Sequence, residues 1–359
     1  MIQVNRPFLP PLEEYSKYIE TIWDRNWLTN QGPLVTELES RLKDHLQCPG
    51  LIFVSNGTIA IQIAIKALAL KGEIITTPFT YVATVSSIVW EGCTPVFVDI
   101  HPKSLNLDPS KIEAAITKNT SAIFATHVYG NPCDIDGIQK IASKHNLPVV
   151  YDAAHCFGTT YKGKSVFEYG NISATSFHAT KLFHTVEGGA LFTGDEELLK
   201  KLTFMRNFGH NGPKDFAEVG INGKNSEFHA AMGLANLKYI PEILASRKAQ
   251  SLRYDHWLHR IYSEKIEINA DSGYNYAYYP LILDSEETLL KVIKELEGNQ
   301  VFPRRYFYPS LNTVNVYKSN PLPVSENVSK RIICLPLYHT LTIEEVDFIS
   351  RLVLRACKL

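Results

Sequence analysis

A lysine, an aspartate and several hydroxyl and glycine positions stand at spacings that suit carbonyl–amine chemistry. Lys181 lies in the run Ser176-Phe177-His178-Ala179-Thr180-Lys181-Leu182-Phe183-His184, with Glu187-Gly188-Gly189 close behind. Asp152 stands 29 residues upstream, where it closes the apolar stretch Val149-Val150-Tyr151 and opens Asp152-Ala153-Ala154-His155. A primary amine condenses with an aldehyde, and a carboxylate keeps a pyridine nitrogen protonated so that the ring draws electrons. These are the groups an enzyme needs to hold pyridoxal 5'-phosphate as a Schiff base and to move amino groups. A lysine amine ordinarily titrates near about 10.4, so such a site must desolvate it or tie it up as an imine. The flanks Ala174-Thr175-Ser176-Phe177 and Leu182-Phe183 are small or apolar, which a surface lysine does not need.

Other residues complete the pattern. Ser55-Asn56-Gly57-Thr58 follows an apolar strand and opens a helix, so free backbone N–H groups and a positive helix end make a phosphate cradle there. Gly57 allows close approach and Thr58 adds a hydroxyl; an ordinary capped turn has the same composition. Ser176 stands five residues before Lys181 and is within reach of the same phosphate. Tyr81 opens a helix beyond another strand, a suitable place for an aromatic face to cover a flat ring. His155 is a candidate partner for a phenolic oxygen, or simply a structural histidine. Arg304 and Arg305 are either cations for a diphosphate or two solvated surface arginines.

The elements that must position these groups alternate. Apolar strands are expected at Leu51–Val54, Glu73–Thr76, Pro95–Asp99, Ser121–Thr126, Pro148–Tyr151 and Ala190–Thr193. Helical spacing fills Thr58–Ala69, Tyr81–Glu91, Pro109–Ile116 and Asp134–His145, after two N-terminal helices at Leu12–Asn26 and Leu34–Leu46. This rhythm implies an α/β fold of parallel βαβ units, with ligands beyond the carboxyl ends of the strands. A helical stretch from about Glu227 toward Tyr262, breaking near Pro241, leads to a second domain. There Tyr274–Leu283 and Arg331–Leu337 read as strands, and Glu286–Glu297 and Thr342–Leu354 as helices. The expected division is a large domain over 1–240 and a small C-terminal α+β domain over 241–359.

The bulk numbers bound the alternatives. The chain has 359 residues and a net charge of −1, so no basic field points to nucleic acid. No apolar run reaches the roughly 20 residues that span a bilayer, and Met1 to Pro11 carries no signal-peptide pattern. Six scattered cysteines without metal-type spacing are expected to be free thiols in a reducing cytoplasm, and no metal site is expected. A dinucleotide-binding glycine motif fails on context, because Gly188-Gly189 precedes a strand.

The run Gly72 to Thr84, together with Pro95 to Ile100, Tyr151 to His155, Ser176 to Gly189, and Gly220-Ile221-Asn222 with Ser226-Glu227 and Ala230-Ala231, resembles the nucleotide-sugar aminotransferases of the DegT/StrS family. The resemblance covers nearly the whole chain. It implies a fold-type I pyridoxal-phosphate transferase, with a mostly parallel central sheet flanked by helices and a smaller C-terminal α+β domain. It also implies roles. Lys181 would be the Schiff-base lysine and proton shuttle, and Asp152 the pyridine-nitrogen partner. His155 would sit at the phenolic oxygen; Gly57, Thr58 and Ser176 at the phosphate; and Tyr81 over the ring. Asn222 would reach the phosphate of a neighbouring subunit, giving a homodimer with shared active sites. Lys224 stands where the family often has Arg, and Asn312 where many members have His. Trp27 to Pro33 and the Lys181 run look most like enzymes that use L-glutamate to aminate C4 of dTDP-4-keto-6-deoxyglucose. The cofactor would pass through pyridoxamine 5'-phosphate, and the product would be dTDP-4-amino-4,6-dideoxyglucose, an O-antigen precursor. A 3-keto-sugar aminotransferase and a non-catalytic regulator on the same fold are the alternatives. A pyridoxamine-dependent dehydratase would carry His at the position of Lys181.

Overall fold

The computed structural model describes residues 1–261 and 264–358. Seven strands form the central sheet: β1 (Leu51–Val54), β2 (Glu73–Thr76), β3 (Thr94–Phe97), β4 (Thr120–Thr126), β5 (Val149–Asp152), β6 (Ile172–Ser176) and β7 (Gly189–Phe192). Their spatial order is β1-β7-β6-β5-β4-β2-β3. The pairs from β3 through β2, β4 and β5 to β6 are parallel, whereas β7 runs antiparallel to both of its neighbours. The reversal has a simple cause: β6 and β7 are joined by the short segment that carries Lys181, and a parallel return would need a crossover helix.

Successive side chains of a strand point to opposite faces, and the two apolar cores follow that alternation. Leu51, Phe53, Ile75, Ile123, Val149 and Tyr151 enter one core, while Ile52, Val54, Ile74, Phe124 and Val150 enter the other. Helices α1 (Leu12–Arg25), α2 (Pro33–Leu46), α3 (Gly57–Ala67), α4 (Val82–Trp90), α5 (Pro109–Ala115), α6 (Ile135–His145), α7 (Glu196–Met205) and α8 (Glu227–Leu237) accompany the sheet. In α2, Leu34, Val35, Leu38, Leu42 and Leu46 make the buried stripe. The buried Glu227 carboxylate accepts from the N–H groups of Leu34 and Val35, each at 2.9 Å, so the first orphan donors of α2 are met by a side chain of α8.

From the C-terminal half of α9 (Ile240–Leu258) onward a separate apolar cluster gathers Tyr254, Leu258, Leu281, Leu289, Val292, Ile333, Ile349 and Val353. It is built on the antiparallel pair β8 (Tyr279–Ile282) and β9 (Ile332–Leu335), with α10 (Glu286–Gly298), α11 (Pro323–Arg331) and α12 (Ile343–Ala356). A capping box between Thr342 and Glu345 starts α12. All six cysteines are free. Among the described residues no helix is long and apolar enough to cross a membrane.

The stretch from Glu227 breaks near Pro241 as expected, because Pro241 lacks the N–H that would continue the first helix, and α9 begins afresh with Pro241 in its first turn; its expected end at Tyr262 lies outside the described residues. Other elements differ from the sequence expectation. Tyr274–Leu283 is a strand only over Tyr279–Ile282. Asn275 turns its side chain inward to donate to the carbonyls of His155 (2.8 Å) and Phe157 (3.0 Å), and Tyr276 has a φ of 52°, so the chain before β8 is a loop pinned to the sheet domain. Helix α11 was not expected from its weakly apolar sequence. It is started from outside: Asp99 accepts from Val324 N (2.9 Å), Ser325 N (2.8 Å) and Ser325 Oγ (2.6 Å).

Replacing Asp99 by Ala leaves those buried donors unpaired, each costing roughly 1–3 kcal/mol. We expect a loss of about 3 kcal/mol and a thermal midpoint several degrees lower, measured by calorimetry; an unchanged midpoint contradicts the anchor.

Candidate active site

A cleft of about 760 Å³ opens at the carboxyl end of the parallel strands. Gly57, Thr58, Tyr81, Asp152, His155, Ser176, Lys181, Arg304 and Arg305 all line it, so nine of the eleven residues singled out in the sequence come together. Lys181 sits on the segment between β6 and β7. Burial pulls its amine below the ordinary lysine value, against the opposing influence of Tyr306, Asp152 and Tyr81. That is the desolvation a nucleophilic lysine requires.

Asp152 ends β5 and is buried. Its Oδ1 accepts from Ala154 N at 3.0 Å and its Oδ2 from Thr84 Oγ1 at 2.6 Å. His155 packs beside Tyr278 at 4.6 Å between ring centroids and accepts the Tyr129 N–H at Nδ1, 3.2 Å away. The remaining ring proton is therefore on Nε2. Burial, and then the Lys181 charge, hold the imidazole well below the ordinary histidine value, so it is neutral.

The N-terminus of α3 faces the lysine segment. Asn56 caps it by accepting from Ile59 N at 2.8 Å, which leaves the N–H groups of Gly57 and Thr58 without a partner among the described residues. A Cβ on Gly57 would lie 2.9 Å from Ser176 Cβ, so the helix end and the Ser176 hydroxyl are in contact. Two free N–H groups, a serine and the helix dipole make an anion cradle. Tyr81 caps α4 and remains 55% exposed, with its ring available to a ligand.

The two arginines differ. Arg305 Nη2 already donates to Glu286 (2.9 Å), Lys330 O (3.0 Å) and Ser329 O (3.3 Å), and its guanidinium lies 3.4 Å from the centroid of the Tyr308 ring. Among the described residues Arg304 has only the Tyr306 hydroxyl, at 3.0 Å, as a side-chain hydrogen-bond partner. Asn222 and Lys224 lie outside the cleft, where Lys224 Nζ donates to Asn222 Oδ1 at 2.7 Å and stands 4.6 Å from the Phe208 ring centroid. Asn312 is buried on Glu326 (2.7 Å), Asn320 O (3.2 Å) and Ser310 (2.7 Å) and does not reach the cleft.

Sequence reasoning gave no role to Thr84, Thr80, Thr126, Tyr306, His178 or Glu187, which also line or support this cleft. Only Thr84 carried a signal: it stands three residues after Tyr81, on the same turn of helix. Thr80 and Thr126 belong to other elements, and only the fold brings them to it.

The geometry gathers a desolvated amine, a buried carboxylate and an anion cradle at one edge of the α/β sheet. Residues 12–353 match the DegT/DnrJ/EryC1/StrS aminotransferase family, and the chain belongs to that family of pyridoxal-phosphate enzymes. A Shigella dysenteriae protein named dTDP-4-amino-4,6-dideoxy-D-glucose transaminase is 40% identical over 355 residues, 97% of each chain. An Escherichia coli protein of the same name is 38% identical over 98% of each chain. The solved structure of DesI in the presence of its TDP-sugar product aligns with a TM-score of 0.93 at 31% identity, over 99% of this chain and 93% of that one.

Because the folded value of His155 lies below that of an unfolded histidine, about 6.5, the unfolded state binds the extra proton first as pH falls. The stability from keeping this ring neutral is present above about pH 6.5 and is lost below it, at up to about 1.4 kcal/mol per pH unit. We expect a two-bond 1H–15N spectrum to show an Nε2–H imidazole that does not titrate between about pH 5.5 and 8. His155→Gln should flatten the acid limb of the stability–pH curve.

Proposed function

We propose that this chain binds pyridoxal 5'-phosphate in the cleft and transfers the amino group of L-glutamate to C4 of dTDP-4-keto-6-deoxyglucose, giving dTDP-4-amino-4,6-dideoxyglucose. The observation that carries the reading is a desolvated lysine amine sharing one cleft with a buried carboxylate and an unpaired helix N-terminus. Relatives at 40% and 38% identity named for that product support the choice of sugar and carbon.

The residues fit the cofactor. Gly57 N–H, Thr58 N–H and Ser176 Oγ hold the phosphate, Asp152 holds the pyridine nitrogen, and Tyr81 covers one face of the ring. His155 donates from Nε2 to the phenolic oxygen without bringing a charge. When bound, the cofactor supplies an electron sink for the carbon that loses its proton. Lys181 Nζ would hold the cofactor's aldehyde group, and as a free amine it would hold or move the proton at the reacting carbon of the substrate. Arg304 takes the sugar diphosphate. Arg305, already engaged by Glu286, supplies a second positive charge and fixes the Tyr308 ring in the wall.

In this reading the working unit is a homodimer. Asn222 is exposed and outside its own cleft, which leaves it free for the role the family resemblance implies, reaching the phosphate in a neighbouring subunit, with Lys224 beside it adding a point charge toward that site. The domain division falls at 240/241, within the first turn of α9, which leads into the separate C-terminal core.

Wild-type protein loaded with pyridoxal 5'-phosphate should change its visible absorbance on adding L-glutamate and release 2-oxoglutarate. Lys181→Ala should abolish that change and lower turnover by about a thousand-fold or more; full turnover in the variant overturns the reading. Arg304→Ala should raise KM for the sugar nucleotide by about 10- to 100-fold with kcat little changed, since it removes a charged contact remote from the reacting carbon. NMR of the product decides between amination at C4 and at C3.

A further inference from the structure

We propose that Thr126, Thr80 and Thr84 form a one-way hydroxyl relay that positions the Asp152 carboxylate for a protonated ring nitrogen, and that Thr84 is its decisive link. The inference rests on the cofactor reading above and assigns a role to three residues that reading does not use.

The chain is continuous. Thr126 Oγ1 lies 2.9 Å from Thr80 Oγ1, which lies 3.1 Å from Thr84 Oγ1, which donates to Asp152 Oδ2 at 2.6 Å. All three threonines are at most 3% exposed and Asp152 is 6% exposed, so bulk water does not compete. The direction of every proton follows from the acceptor at the end. An ionised carboxylate only accepts, and a hydroxyl has one proton. Thr84 gives its proton to Asp152, so the 3.1 Å contact requires Thr80 to donate to Thr84, and the 2.9 Å contact then requires Thr126 to donate to Thr80. Three dipoles point their positive ends toward one oxygen, and hydrogen bonds in such a chain strengthen one another.

The relay also ties three elements together. Thr126 ends β4, Thr84 lies in the first turn of α4, and Asp152 ends β5. The α4 turn that carries Thr84 begins at Tyr81. One turn of helix therefore sets both the aromatic face of the site and the orientation of its acid. Among the described residues Asp152 Oδ1 accepts only the Ala154 N–H, and Oδ2 only the Thr84 hydroxyl, which leaves lone pairs on the carboxylate. A valine at 84 keeps the shape but removes the donor, whereas a serine keeps the donor.

The test uses the full-length protein labelled with [4-13C]aspartate, the Asp152 carboxyl signal being assigned by its absence in Asp152→Asn. We expect Thr84→Val to move that signal in protein free of cofactor and to weaken pyridoxal 5'-phosphate binding by about 10- to 100-fold. Thr84→Ser should restore both. Thr126→Val, two hydroxyls further from the acid than Thr84, should move the signal less and serves if Thr84→Val does not fold. A carboxyl signal that stays at its wild-type position in the valine variants overturns the relay, and so does a serine variant that behaves like the valine one. If wild-type protein does not take up the cofactor, the cofactor reading falls, while the carboxyl signal of the unloaded protein still decides the relay.

Discussion

Three stretches of backbone meet where no Cβ fits, and the cleft depends on that meeting. A Cβ on Gly57 would lie 2.9 Å from Ser176 Cβ, and one on Gly189 would lie 2.6 Å from the Asn56 carbonyl carbon and 2.7 Å from Gly57 N. Neither glycine has a positive φ, so the requirement is space rather than conformational freedom. Strand β7 supplies the reason. It is inserted antiparallel between β1 and β6, so Gly189 lies opposite both Val54 and Ser176. A side chain there would push the α3 N-terminus off the sheet edge and take its free N–H groups away from the lysine segment. Gly188 is tighter still, at 2.0 Å from Thr185 Oγ1. The Glu187-Gly188-Gly189 run is thus a packing device that brings a helix end, a serine and a lysine to one place.

Buried carboxylates do two different jobs in this chain, and hydrogen-bond count separates them. Asp99 takes three donors from the start of α11 as well as its neighbour Ile100 N at 3.0 Å. Glu227 takes the first N–H groups of α2, one on each oxygen. Both sit at helix N-termini, where the dipole favours a negative charge and the orphan donors offset its desolvation. Asp152 also lies near a helix start, but each of its oxygens takes a single donor, one of them a hydroxyl at the end of a relay. A carboxylate has about four acceptor sites. Asp99 has filled its capacity with protein, whereas Asp152 keeps sites for a ligand.

Most of the sheet was legible because buried parallel strands read as short apolar runs and their helices as periodic ones. The expected strands at Leu51–Val54 and Glu73–Thr76 match residue for residue, and the others shift by a residue or so. What failed was structure made by distant partners. Helix α11 is started by Asp99, 224 residues before Pro323, and nothing in its own composition announces it. The loop before β8 is held by one asparagine amide on the carbonyls of His155 and Phe157. Within the site, residues whose chemistry is intrinsic were legible: a lysine, an acid, a glycine before a helix. Residues whose value is relational were not. Thr84 matters because of Asp152, and Arg305 loses freedom because Glu286 is 19 residues away in sequence and 2.9 Å away in space.

The electrostatics of the cleft turn on keeping one histidine uncharged. Lys181 is a cation when its amine is free, and Arg304 and Arg305 stand on the same cleft. A protonated His155 would add a fourth positive charge at a buried position, where repulsion is strong. Burial lowers its proton affinity, the Lys181 charge lowers it further, and the Tyr129 N–H occupies Nδ1 so that a proton there would lose a bond. The ring therefore keeps its single proton on Nε2 at neutral pH. It can donate one hydrogen bond from Nε2 without carrying a charge. A glutamine would preserve the donor but not the flat ring that packs against Tyr278, which is why the imidazole has both a chemical and a packing reason to be there.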